Sequence, residues 1–494
     1  METKKRVLVV SFDGLRPDLI SPELMPNLHR LQCMGTTLTN HRTVYPSETR
    51  TGFPSLVTGA TTGRHGMVGN KYVDRSALPH RYIDTANATL LRELDLESKG
   101  RLMSVPTLGE ILASAGRSLA VLSTNFPGTT RLFNHKADDL GHVRLSGHFR
   151  EACAPAAVLT EVESRVGSLP PTPPKGEPDT AGQEWITSAF LEVVWPTHLP
   201  DVTILSYGEP DVTTHFHGIG AKTTRDIITY CDYQFGRLLD WWEGEGRSAG
   251  VHLIAVSDHG HITGHTAVSV VDSLREAGFR SGIAPGPDVD VVVVPGQVGA
   301  LYLASPSDEQ ICRLVAAITA QSWCGPVFTR SKNETEGIAA GSLGNHLVLA
   351  DHVRAPDVSF AFRADDRVDP FGLVGSTYYE NGRFRSVHGG LHPKEMAAVG
   401  IVAGAAFGAE ASSTVPSGIC DFAPTILHLL EIEPATTMTG RVLHEVLRSG
   451  ATTVANVRSE AFEAGLGGYR QTLRRIRVGD VTYVESGTAY GKSS

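Results

Sequence analysis

RVLVVSFDG at residues 6–14 and VHLIAVSDHGH at residues 251–261 follow one pattern, a β-branched apolar run that stops at an aspartate. Runs that are apolar throughout, with no polar alternation, belong to strands covered on both faces, as in a mostly parallel sheet. Asp201–Tyr207 and Ala398–Ala403 read the same way. Ahead of the 251–256 run, Ile227, Ile228, Cys231, Phe235, Leu238, Leu239 and Trp242 recur at helical spacing. A helix placed there is the crossover that parallel strands require. The fold class is therefore α/β, with a mostly parallel central sheet flanked by helices.

A second set of elements runs from Thr263 to about Arg385. It has strands near Val289–Val294, Ala300–Ala304 and Val358–Arg363 and a helix over Asp308–Ala320. Residues that look chemical lie on both sides of this set, which makes it an inserted α+β lobe. The expected division is a core of residues 1–262 plus 386–450, an inserted lobe of 263–385, and a C-terminal extension of 451–494. Within the extension, Arg474–Val484 (RRIRVGDVTYV) reads as a hairpin turning at Gly479-Asp480. Leu169–Pro178 (LPPTPPKGEP) is too rich in proline for a helix or central strand and reads as an extended surface loop.

With 44 Lys+Arg against 53 Asp+Glu the net charge is −9. That weighs against a nucleic-acid polymer as partner, because phosphate neutralisation needs an excess of cations. The apolar run in METKKRVLVVSFDG is too short for a signal-peptide core. Nor does any stretch approach the roughly 18–20 apolar residues of a membrane span. The expectation is a soluble, cytoplasmic protein with a small-molecule partner and no membrane partner, a homodimer remaining open. Six cysteines without close pairing, Cys33, Cys153, Cys231, Cys312, Cys324 and Cys420, read as buried reduced thiols.

In open α/β sheets ligands bind beyond the carboxyl ends of the strands. Asp13 follows the first run, and Asp211 and His215 follow the second in YGEPDVTTH. Asp258 and His259 follow the third, while His388, in VHGGLHP, lies just before the fourth. Three Asp and three His at one sheet edge match two divalent cations in mixed N/O sites. Such a pair of cations typically serves phosphoryl chemistry. Thr49, in VYPSETRTGFPSLVTG, stands before a helical segment, where its hydroxyl is either a nucleophile beside an anion-attracting helix N-terminus or simply the N-cap.

These blocks resemble the alkaline phosphatase superfamily, and within it the type I phosphodiesterase/nucleotide pyrophosphatase branch with its phosphonoacetate hydrolase relatives. The resemblance is carried by VSFDGLRPD, MPNLHRL, YPSET, SLVTG, GRHGMVGN, YGEPDVTTHFHG, VSDHG, VHGGLHP, CDFAPTILHLLEIEP and MTGRVL. It implies an alkaline phosphatase-like core and two Zn2+ per chain, with Mn2+ as the alternative. Asp211, His215 and His388 would hold one ion; Asp13, Asp258 and His259 would hold the other, with Thr49 bridging to it as nucleophile. Asn70, otherwise a turn residue, is implied as the donor to a phosphoryl oxygen.

The implied activity is hydrolysis of a phosphodiester or pyrophosphate through a phospho-threonine. A phosphonate hydrolase or phosphomonoesterase is the alternative, and a Mn-dependent phosphomutase or a non-catalytic binding protein is further off. Arg50 stands where the branch carries a base-stacking Phe. It either projects to solvent or offers a guanidinium to a second anion on the substrate, and with Asn70 and Tyr207 it forms the substrate-binding set. Arg131 and Lys136 are weak counterparts of the lysine pair that phosphonoacetate hydrolases present to a carboxylate. His217, His261, His265 and His392 read as outer-shell or surface histidines.

Overall fold

The computed structural model describes residues 4–76, 78–380, 382–448 and 456–491. The first three residues and the expected boundary at 450/451 lie outside the described residues. An eight-stranded sheet runs in the order Ala411–Ser413, Thr36–Leu38, Gly400–Ala403, Val251–Val256, Arg6–Asp13, Val202–Pro210, Leu119–Ser123 and Val143–Ser146. The five strands from Val251–Val256 to Val143–Ser146 are mutually parallel.

The central strands are apolar throughout because both faces are covered. Leu8, Val10 and Phe12 pack with Leu205, Tyr207 and the Lys222–Trp241 helix on one side. Val7 and Val9 pack with Ile204, Phe53, Leu56 and Ile426 on the other. Each fully buried side chain of this size stabilises the fold by about 1.5–3 kcal/mol. The helix buries the predicted stripe from Ile227 to Trp242.

Gly400–Ala403 departs from the expected direction, since it runs antiparallel to Val251–Val256, with Gly400 opposite Val256. Its leading end therefore lies at the carboxyl edge of its parallel neighbours. That is why His388, before this strand, arrives at the same edge as aspartates that follow theirs.

A six-stranded sheet holds Val291–Val294, Val298–Leu303, Val358–Phe362 and Cys324–Thr329, with the Asp308–Thr319 helix against it. Ile262–Val268 pairs with Val374–Glu380 and Ser386–Val387 in a separate four-stranded sheet. Near the C-terminus, Val457–Leu466, Tyr469–Val478 and Val481–Tyr490 form a meander whose second turn is at Gly479-Asp480. Gln471 bonds both backbone groups of Val327 at 3.0 Å, and the Tyr483 hydroxyl donates to Asp421 at 2.8 Å. The meander thus joins the six-stranded sheet to the main body. All six cysteines are unpaired, and Cys33 and Cys312 are exposed rather than buried as expected. Among the described residues no helix is long and apolar enough to cross a membrane.

Candidate active site

Asp13 closes its strand, and after an irregularity its register partner is Pro210, the residue before Asp211. This pairing brings the ends of two strands, and the carboxylates they carry, to one place. Gly14 turns the chain away with φ +69°, a left-handed conformation that favours glycine, and a Cβ there would stand 2.8 Å from His261 Nε2. Its N–H donates to Asp258 Oδ1 at 3.0 Å.

Thr49 opens the Thr49–Thr58 helix at its first position, with Glu48 as the N-cap residue. The capping alternative for Thr49 therefore does not describe it. Its Oγ1 lies 3.2 Å from His259 Nε2 and 3.4 Å from Asp13 Oδ1. Pro54 is accommodated because the carbonyl it would otherwise serve belongs to Arg50, whose φ/ψ of −92°/20° is non-helical. Gly52 lets the helix approach: a Cβ there would come within 3.1 Å of the Asp258 carbonyl and side chain.

Two groups of side chains converge. Asp13, Asp258 and His259 form one, and Asp211, His215, His261 and His388 form the other, each with ligand atoms mutually within 4.8 Å. The His259 and His388 rings stack across the groups at 3.7 Å. His215, His388 and His259 place Nδ1 against the backbone carbonyls of Ser386 (2.8 Å), Ser47 (2.8 Å) and Gly260 (3.1 Å). Each Nδ1–H donating there fixes the tautomer that leaves Nε2 as a lone-pair donor, the usual arrangement around a metal-ligating imidazole.

The electrostatics of the two groups differ. Burial, then the charges of Asp258 and Asp211, hold the Asp13 carboxyl well above the ordinary carboxylate range. Burial also raises Asp258, and its Oδ2 is fully buried with no hydrogen-bond partner among the described residues. Burial likewise opposes ionisation of Asp211, but His215, His261 and His388 together hold it well below that range. Burial holds His388 well below the ordinary imidazole range and lowers His261 to about 3. An orphaned buried carboxylate oxygen, a crowd of carboxylates and imidazoles presenting Nε2 fit divalent cations in both groups.

Asn70 is oriented by its neighbours. Its Oδ1 accepts from the Arg50 N–H at 3.0 Å and its own N–H donates to Glu48 Oε2 at 2.6 Å, leaving Nδ2 without a partner among the described residues. Arg50 does not project to solvent: it is 7% exposed. Tyr207 corrects the expectation of a substrate contact. It is fully buried among core side chains, and its hydroxyl is taken by Thr187 Oγ1 at 2.9 Å. The strand alternates, so Tyr207 faces the helical layer.

Arg131 is held by the His135 carbonyl and Asp138, and Lys136 by Asp95 at 2.8 Å. His217 bonds the Gly176 carbonyl and His392 bonds Asp366. His261, expected among the outer residues, instead joins the second group with Nε2 2.7 Å from Asp211 Oδ1.

Asn125 was not anticipated. Its Nδ2 donates to Asp13 Oδ2 at 2.5 Å while its Oδ1 accepts from Ser123 and Ser206. It follows Leu119–Ser123, so the strand-end rule finds it once LAVLS is read as a strand.

The model of the "Type I phosphodiesterase / nucleotide pyrophosphatase" family matches residues 7–357. Because that match spans well over half of the sequence, the chain belongs to the type I phosphodiesterase/nucleotide pyrophosphatase family. It is 26% identical over 258 residues to ectonucleotide pyrophosphatase/phosphodiesterase family member 1 of Rattus norvegicus, covering 51% of this chain and 24% of that one. It is 24% identical over 265 residues to family member 7 of Mus musculus, covering 53% and 51%. The chain therefore spans from about a quarter to about half of the length of these curated relatives.

Murine ectonucleotide pyrophosphatase/phosphodiesterase 5 shares the fold with a TM-score of 0.60 at 16% identity, covering 90% of this chain and all of that one. An inactive threonine-to-alanine form of that protein, in complex with AMP, gives 0.59 at 16% identity over 87% and 96%.

Proposed function

We propose that this protein hydrolyses a phosphodiester or pyrophosphate bond of a small molecule through a covalent phospho-threonine at Thr49, with zinc at both side-chain groups. One ion would be held by Asp211, His215 and His388, the other by Asp13, Asp258 and His259. The observation that carries the reading is the placement of the Thr49 hydroxyl at a helix N-terminus, 3.2 Å from His259 and 3.4 Å from Asp13. We also propose the division into a core of 1–262 plus 386–450, an inserted lobe of 263–385 and an extension of 451–494.

Divalent cations held by these two groups would supply Lewis acidity, which would ease ionisation of the Thr49 hydroxyl near neutral pH. Thr49 Oγ forms a bond to phosphorus, the bond to the leaving oxygen breaks, and that oxygen takes a proton on departure. A water then hydrolyses the phospho-threonine and restores the hydroxyl. Asn70 Nδ2, its amide oriented by the Arg50 N–H, donates to a phosphoryl oxygen during both steps. Asn125 keeps Asp13 Oδ2 engaged, so that Oδ1 is turned toward Thr49. A relative of this fold is described as inactive with one threonine replaced and bound to AMP, which supports a threonine-dependent reaction on a phosphate ester.

The test is Thr49→Ala. Turnover of a chromogenic phosphodiester should fall by several orders of magnitude while metal content stays that of the parent. Acid quenching of the parent during turnover should trap phosphate on Thr49. Near-normal turnover in Thr49→Ala refutes the covalent route.

A further inference from the structure

We infer that Arg50 anchors a second anion subsite beside the nucleophile, so that the preferred substrate carries a carboxylate or a further phosphoryl group beyond the one that reacts. The inference deepens the hydrolase reading above and rests on it for the identity of the reacting group.

Arg50 is a buried cation, 7% exposed, that no carboxylate of the described residues pairs with. Asp84, Glu48, Asp13 and Asp211 act on it only through their fields. A buried guanidinium with no counter-ion is costly unless something supplies the charge. Its orientation is fixed. Nε donates to Thr85 Oγ1 at 2.9 Å and Nη1 to Thr129 Oγ1 at 3.5 Å, both threonines being fully buried. The Thr85 hydroxyl in turn donates to the Asn70 carbonyl at 2.6 Å. Nη2 has no partner among the described residues, so part of a planar fork suited to a carboxylate or phosphate is unspent.

Phe126 adds a second, independent observation. Its ring lies 5.9 Å from the Arg50 guanidinium carbon and is 53% exposed. An aromatic ring over the cation shields it from water, which strengthens any charge-assisted contact made there. Phe126 follows Asn125, whose amide holds Asp13. Arg50 follows Thr49, and its backbone N–H holds Asn70. The unspent fork and the exposed ring are therefore one residue removed from groups that line the reacting centre. A residue kept in place only for stability would not need a free fork under a solvent-facing ring.

The experiment uses the full chain carrying Thr49→Ala and loaded with zinc, so that binding is read without chemistry. The probes are methylphosphonate, 2-carboxyethylphosphonate and methylenebisphosphonate, followed by calorimetry. With Arg50 present, a second anion should tighten binding by about ten- to a hundredfold over methylphosphonate, since charge-assisted contacts of this kind differ by that much. The two probes with a second anionic group, one a carboxylate and one a phosphonate, tell a carboxylate preference from a phosphoryl one. Arg50→Met should reduce the ratio to about threefold or less, and Arg50→Lys should keep part of it, because the charge remains without the two-threonine anchor. Zinc content and melting temperature establish that each variant is folded. Should Arg50→Met fail to fold, Arg50→Lys together with loss of the ratio at high salt in the Arg50 protein carries the test.

A ratio that is the same in Arg50 and Arg50→Met, or that is absent with Arg50, overturns the subsite. Hydrolysis of bis(p-nitrophenyl) phosphate by the protein with Thr49 intact separates the two claims. A binding ratio with hydrolysis of neither this diester nor a nucleoside triphosphate, which offers a pyrophosphate bond and further anionic groups, supports the subsite and sinks the hydrolase reading, whereas hydrolysis without the ratio does the reverse.

Discussion

Asp13, Asp258 and His259 set two carboxylates against one imidazole, whereas Asp211 stands among three imidazoles from His215, His261 and His388. The first trio cannot balance its own charge, so burial and repulsion from Asp258 and Asp211 hold the Asp13 carboxyl well above the ordinary carboxylate range. In the quartet, the histidines draw Asp211 into its ionised form. The same residue types at the same sheet edge thus prepare two different sites. On the proposed two-metal reading, the trio would need a cation to offset its carboxylates, whereas the quartet already offsets Asp211 with its own imidazoles.

The largest expected effect tests redundancy. Removing zinc from the proposed sites should lower the melting temperature, since ions present at 100 to 1,000 times Kd stabilise the fold by about 2.7–4.1 kcal/mol per site. His259→Ala should leave about one ion per chain, because two carboxylates remain in the trio. His261→Ala should leave about two, with the quartet's ion bound roughly 10- to 100-fold more weakly, as expected for a residue that supports or supplements three remaining ligands. Equal metal loss in both variants, measured by elemental analysis after dialysis, breaks the contrast.

Protons sharpen it. Asp13 has a raised value when folded, so its contribution to the stability of the metal-free protein is fully present below the ordinary carboxylate value. That contribution is lost as pH rises through the folded value. Zinc entering the trio competes with a proton for a carboxyl of raised basicity, so the trio's affinity should climb with pH. Asp211 is already ionised and His388 and His261 are already neutral. The quartet should therefore fill first in mildly acidic solution, with less proton release in weakly buffered titrations. Simultaneous filling at every pH would count against the electrostatic difference.

The smallest effect lies outside both groups. Tyr207→Phe should cost about 1 kcal/mol from the lost bond to Thr187, since that residue serves the core. Metal content and kcat/KM should not change. A substantial change in KM would return Tyr207 to the substrate's side.

Much of this arrangement is legible in the chain. Strands apolar on both faces announce themselves by composition, and Asp13, Asp211, Asp258 and His259 lie where those runs end. His388 was legible as a residue beside a strand, but the antiparallel direction that brings it to the right edge depends on pairing between Gly400–Ala403 and Val251–Val256, which no local pattern encodes. LAVLS is a five-residue run after polar residues, too short to stand out as a strand, so Asn125 beyond it carries no strand-end signal. His261 and Tyr207 failed in opposite directions for one reason. Where a side chain points depends on strand alternation and on a turn at Gly14, neither of which residue type reveals.

The His259–His388 stack also has a meaning in time. It joins residues 388 − 259 = 129 positions apart in the chain. At the usual 5–20 residues per second, a nascent chain would hold every member of the trio roughly 6–26 s before His388 is made. During that interval the quartet lacks one imidazole and the His259 ring lacks the surface it will stack on. On the proposed two-metal reading, capture during synthesis would thus be sequential, with the quartet, predicted to fill first in the finished fold, the last to be completed on the ribosome.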